Sequence, residues 1–153
     1  VEAPTIDGFE ALKAEVPTTD WDAMRDEMLG DIERRGVDPD LAFQLYLAEG
    51  MVLEADGVAV TQALDPYSLA AGADSLLESH PDRSAGWLLI ASHRILKEAK
   101  VPAYKQAARW LVTVKRCAEL TAQTEGFERA MADMRKQYSR RKAFLRILEE
   151  AGL

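Results

Sequence analysis

Three side chains in this 153-residue chain have types suited to metal or nucleophilic chemistry: His80, His93 and Cys117. A zinc site needs three or four convergent Cys, His or carboxylate ligands, and these three fall on different predicted segments. His80 stands in the breaker His80-Pro81-Asp82 and reads as a solvated turn residue. His93 flanks an apolar stripe beside Ser92 and reads as structural. Cys117 follows Lys115 and Arg116, whose charges would favour a thiolate if the sulfur were exposed. Its neighbours Val114 and Ala118 predict partial burial and an inert thiol instead. A lone cysteine rules out an intramolecular disulfide and agrees with a reducing, cytoplasmic setting. Carboxylates come in pairs, Asp20 with Asp22 and Glu54 with Asp56, but in no acid–base motif; they read as a solvated face. The nine glycines are scattered and build no phosphate-cradling loop. With neither a nucleophile–base pair nor a ligand set, the expectation is a non-enzyme without cofactor or metal.

Charge distribution is the stronger chemical signal. The net charge is −7. Residues 1–80 hold 18 acids and 4 bases, whereas residues 81–153 hold 8 acids and 15 bases, so the halves carry −14 and +7. Such asymmetry marks either an interaction surface or two halves that attract each other. The bases gather toward the C-terminal end. On a continuous last helix Arg129, Lys136 and Arg140 fall on one line, and Arg135, Lys142 and Arg146 on another. These six are the candidate partner-binding residues, able to grip an acidic protein or to track phosphates. Arg141 differs, because helical spacing puts it beside the Met134, Tyr138 and Leu145 stripe. It must snorkel outward, pair with an acid from the first half, or mark a break near Ser139.

The elements that position these residues follow from apolar periodicity. Pro4, Gly8 and Pro17 make residues 1–19 an irregular N-terminal arm with room for one short helix near Phe9 to Val16. Trp21, Met24, Met28, Leu29 and Ile32 recur at helical spacing, with Thr19 or Asp20 as cap and Gly36 as stop. Asp38-Pro39 and Asp65-Pro66 each read as an N-cap followed by proline in the first turn. The first opens a stripe of Leu41, Leu45, Ala48 and Val52, the second one of Leu69, Ala73, Leu76 and Leu77. Between them, Val58 to Thr61 is too short for a strand and reads as helix or turn. Ala85, Leu88, Leu89, Ser92, Ile95, Leu96 and Ala99 keep the i, i+3, i+4, i+7 rhythm. Tyr104, Ala107, Ala108, Leu111, Val114, Ala118 and Thr121 line the next helix. Phe127, Met131, Met134, Tyr138, Leu145 and Leu148 line the last. Short connections between amphipathic helices imply antiparallel neighbours. The reading is all-α: one domain over residues 1–153, with residues 20–153 an antiparallel helical hairpin stack of about seven helices. A self-match, Tyr67-Ser68-Leu69-Ala70-Ala71 against Tyr104-Lys105-Gln106-Ala107-Ala108, fits a repeat.

The second half has the features of a known type. His80-Pro81, Trp87 to Lys97, Ala103 to Leu111 and Phe127 to Leu153 resemble the C-terminal helical region of bacterial SWIM-type zinc-finger proteins. They also resemble a related uncharacterised bacterial helical-repeat family. The resemblance rests on Tyr104, Ala107, Ala108 and Arg109, then on Tyr138, Arg140, Arg141, Lys142, Phe144 and Leu145. It implies a tetratricopeptide-like superhelix acting as a scaffold for protein contacts. The family's Cys-x-Cys and Cys-x-His are absent, so the chain corresponds to the helical part alone and no zinc-dependent nucleic-acid role carries over. The expected function is a non-catalytic scaffold for protein–protein interaction, with a nucleic-acid-associated module as the alternative. No apolar run approaches the ~20 residues that span a bilayer, so no membrane partner is expected. Val1 in place of methionine points to a processed chain or a piece of a longer one.

Overall fold

The computed structural model describes residues 5–36 and 38–153. Among them are nine α-helices, one 3₁₀ turn and no strand. The chain falls into two compact units, the first ending at Leu64 and the second running from Asp65 to Leu153.

The first unit holds α1 (Ile6–Glu15), α2 (Thr18–Arg35), α3 (Pro39–Ala48) and α4 (Val52–Thr61). The short helix expected near Phe9 to Val16 within the N-terminal arm is α1, which starts three residues earlier. Thr5 caps α1 by accepting a hydrogen bond from the Gly8 amide at 3.1 Å, and buried Phe9 meets Trp21 edge-on at 5.1 Å. Residues 1–4 lie outside the described residues. α2 begins at Thr18, so Thr19 and Asp20 lie within its first turn rather than at its cap. Gly36 closes it in the left-handed region, with φ of 63°, where a Cβ would be strained. Asp38 caps α3 as its Asp-Pro start predicts, accepting from the Asp40 amide. The buried face of α3 is Ala42, Phe43, Leu45 and Tyr46. The expected Leu41, Leu45, Ala48, Val52 stripe is therefore out of phase. The helix stops at Glu49-Gly50, Val52 starts α4, and α3 is covered from several directions by α1, α2 and α4. Val58 to Thr61 is helical, closing α4.

The second unit holds α5 (Pro66–Ser75), α6 (Pro81–Ile95), a 3₁₀ turn (Leu96–Glu98), α7 (Val101–Leu120), α8 (Thr124–Gln137) and α9 (Lys142–Glu150). Asp65 caps α5 through the amides of Tyr67 and Ser68. α6 packs on both α5 and α7. That is why it buries Ser84, Trp87 and Ala91 in addition to the predicted Leu88, Ser92 and Ile95. α7 packs on α6, α8 and α9, and Tyr104, Ala107, Ala108, Leu111, Val114 and Ala118 are buried as their spacing predicts. The two halves of the self-match are not equivalent. Tyr67 is 55% exposed and Tyr104 only 7%; Ala71 is exposed where Ala108 is buried.

The expected last helix is two. α8 stops at Gln137, and Tyr138 to Arg141 form a turn closed by the Arg141 amide donating to the Tyr138 carbonyl at 2.9 Å. Nine helices replace the expected seven largely through this break and α4. The break shifts the phase by one position. Phe144 and Leu148 are fully buried, while Leu145, predicted as core, is only half-buried.

Candidate functional site

The C-terminal bases gather around the α8–α9 turn. Arg129, Arg135 and Lys136 lie on α8, Arg140 in the turn, and Lys142 and Arg146 on α9. The two straight lines predicted for one helix therefore do not exist, because the break redirects Arg140, Lys142 and Arg146. What remains is a cluster: Arg135 to Lys142 contains five bases and no acid. Arg129, Lys136, Arg140, Lys142 and Arg146 are exposed, and none makes an ion pair among the described residues. Arg135 is engaged, its guanidinium donating to the main-chain oxygen of Leu153. Beside it Lys115 donates to the Gly152 carbonyl at 3.0 Å.

Arg141 marks the break and has no acidic partner among the described residues. Its Nη1 donates to the Leu96 carbonyl. Its guanidinium lies 4.8 Å from the Tyr138 ring centroid and 5.9 Å from that of Tyr104, within cation–π range. Tyr138, Tyr104 and Phe144 form an aromatic cluster beneath it, with Tyr138 edge-on to Phe144 at 5.7 Å. Burial raises the Tyr138 phenol pKa, against the opposing charge of Arg141.

The catalytic and metal candidates stay apart. Among the described residues no group of three or more His, Cys, Asp or Glu converges as a metal site. His80 is the N-cap residue of α6, with Nδ1 3.0 Å from Ser79 Oγ. His93 is half-buried near the other end of α6, with Nδ1 3.4 Å from Tyr138 Oη, and burial lowers its pKa. Cys117 is fully buried; burial pushes its thiol pKa up, against Arg116 and a hydrogen bond with Ser84. Raised thiol pKa and no exposure describe an inert cysteine. Asp22 pairs with Arg25 at 2.9 Å, and Asp20 accepts from Thr19.

Two features of the first unit escape the sequence reading. Glu49 is 4% exposed in its side chain and accepts from Lys13 Nζ at 2.7 Å and Trp21 Nε1 at 2.9 Å. Arg25 Nη1 stands 3.8 Å away. Nothing in the local pattern separates Glu49 from the surrounding acids, because its partners lie 28 and 36 positions upstream. On α4, Leu53 and Val60 are 69% and 63% exposed, with exposed Gly57 between them. Their i, i+4, i+7 spacing was legible as one face.

Against protein-family models, curated proteins and solved structures the chain gives no match. The described residues define an all-α protein, none of whose helices is long and apolar enough to cross a membrane.

Proposed function

We propose that the chain is a non-catalytic helical scaffold that binds an acidic segment of another protein, through the basic turn between α8 and α9, in the bacterial cytoplasm. The observation that carries this reading is the charge at that turn: Lys136, Arg140 and Lys142 are exposed, close in sequence and in no ion pair among the described residues. Stability does not account for Lys142. It is the first residue of α9, where the helix dipole disfavours a cation. Glu125 in the first turn of α8 and Glu149 and Glu150 closing α9 lie at the far ends of these helices, while Glu128 and Asp133 lie along α8. The turn is thus a local positive field of the kind that steers an acidic partner.

The reading takes the second unit as an antiparallel, tetratricopeptide-like hairpin stack. Its support is that α5 packs on α6, α6 on α7 and α7 on α8, as stacked neighbours require. The Tyr-x-x-Ala-Ala match adds nothing, since its two copies sit in unlike environments. Nucleic acid is the weaker alternative. The only aromatic residue in the basic run, Tyr138, is 8% exposed, so bases find no stacking platform there.

The test is a titration at roughly physiological salt, where charges beyond ~8 Å are screened. A labelled acidic peptide is compared with single- and double-stranded nucleic acid. The expected result is peptide binding that is lost when Lys136, Arg140, Lys142 and Arg146 are replaced by serine, with negligible nucleic-acid binding. Micromolar, salt-sensitive nucleic-acid binding that vanishes in the same variant would overturn the reading.

A further inference from the structure

α7 is packed on by α6, α8, α9 and the 3₁₀ turn, and its remaining side carries two rows of exposed residues at i, i+4 spacing. The first row is Val101, Lys105 and Arg109; the second is Val112, Arg116 and Leu120. Val101, Val112 and Leu120 are 49%, 44% and 68% exposed. They are three of the seven exposed large apolar side chains among the described residues, more than any other described helix carries. Left in water, they add little to the packing of the second unit. Lys105, Arg109 and Arg116 are in no ion pair among the described residues. The helix holds one acid, Glu119, near its C-terminal end. Beside the rows, Lys115 is taken up by the Gly152 carbonyl.

We infer that these two rows dock an amphipathic helix of another protein, whose contacting face interleaves aliphatic residues with Asp or Glu. Rows at i, i+4 are the ridges by which helices interlock, so a helix is the shape they fit. Both rows mix bases with aliphatic side chains. The three bases are complementary to carboxylates, and the three open aliphatic chains gain by burial against their own kind. Because α7 is held on its other side, its backbone loses little freedom on binding. Nucleic acid or an anionic bilayer would match the bases alone. The rows hold no aromatic residue on which bases could stack, and no Trp or Phe of the kind that seats a helix at a membrane surface. None of the six residues belongs to the α8–α9 turn, so the inference stands apart from the scaffold reading.

The probe is a labelled helical peptide of about 20 residues, matching the ~28 Å that the rows run along α7. One face carries leucine and glutamate in i, i+4 rows; a second peptide has alanine in place of each leucine. Both are titrated into the whole chain and followed by fluorescence anisotropy. The leucine peptide should bind roughly tenfold more tightly than the alanine peptide. That preference should vanish in Val112→Gln with Leu120→Gln. Arg109→Gln with Arg116→Gln should weaken the leucine peptide roughly fivefold. All four side chains are exposed and glutamine suits a helix, so both variants should melt as the wild type does. The serine variant of the α8–α9 turn should keep the preference for leucine. No preference in the wild type, or one that survives in the Val112 and Leu120 variant, would overturn the docking surface. A preference lost only in the turn variant would place the peptide at the turn, overturning this inference and leaving the scaffold reading intact. Duplex DNA or anionic vesicles that displace the leucine peptide at lower concentration than the unlabelled peptide does would overturn the assignment to a protein helix.

Discussion

Ser84 Oγ donates a 2.7 Å hydrogen bond to the carbonyl of Ala73, and both residues are completely buried. The bond pins α6 to α5, and the same hydroxyl meets Cys117 on α7. Serine at a core position of α6 is thereby explained: it is small enough for two helices to approach and its polar group is satisfied. Ser84→Ala should cost about 0.5–1.5 kcal/mol, the net worth of a satisfied hydrogen bond. Ser84→Leu should cost more, roughly 1–3 kcal/mol or above, through overpacking. Urea unfolding of both variants checks the order; a leucine variant as stable as the alanine one would contradict it.

The break after Gln137 makes a second, sharper comparison. Leu148 is fully buried and Leu145 only half-buried. Leu148→Ala should cost about 2–5 kcal/mol, and Leu145→Ala distinctly less. Ala108→Leu, where α7 is closely packed, should cost roughly 1–3 kcal/mol. A continuous helix through Ser139 would reverse the order of the two leucine variants, which thermal melts resolve.

These comparisons show where the sequence was legible. Asp38-Pro39 and Asp65-Pro66 announced α3 and α5 because capping and proline geometry are local. Gly36 stopped α2 for the same reason. The α7 face was readable because its apolar positions follow one period. The break at Tyr138 was legible only as one of three readings of Arg141, since a tyrosine–arginine turn held by Leu96 depends on a contact 45 positions away. Snorkelling outward and pairing with an acid were the other two readings. The basic residues were visible by composition, but which of them are free depended on the turn, and Arg135 proves engaged with Leu153. Glu49 was invisible for the same non-local reason.

Glu49 should give the first unit an acid-sensitive component. Burial raises its pKa, but hydrogen bonds from Lys13 and Trp21 and the charges of Lys13 and Arg25 outweigh it, so the net direction is down. The folded value therefore lies below the unfolded one of about 4.3. The stabilisation is fully present above the unfolded value and is lost as pH falls through the folded one. Glu49→Gln should cost about 1–3 kcal/mol at neutral pH and flatten this acid dependence. Stability measured from about pH 5 downward tests it; identical slopes in both proteins would contradict the prediction.

His93 titrates in a different window. Burial lowers its pKa, so the unfolded chain takes up its proton first. The folded state is at full stability above about pH 6.5 and loses stability as pH drops from there to the folded pKa. His93→Gln should remove that slope. A wild-type stability flat through this range would count against the burial of His93.

The central claim is that the exposed bases at the α8–α9 turn recognise a protein. The most direct measurement is quantitative affinity capture from extract of the source cells, with and without nuclease treatment, at near-physiological salt. The wild-type chain is compared with the Lys136, Arg140, Lys142 and Arg146 serine variant, after both are shown to melt alike. The account predicts an acidic protein retained in stoichiometric amount by the wild type and absent from the variant. Equal retention by both, or material that disappears on nuclease treatment, would contradict it.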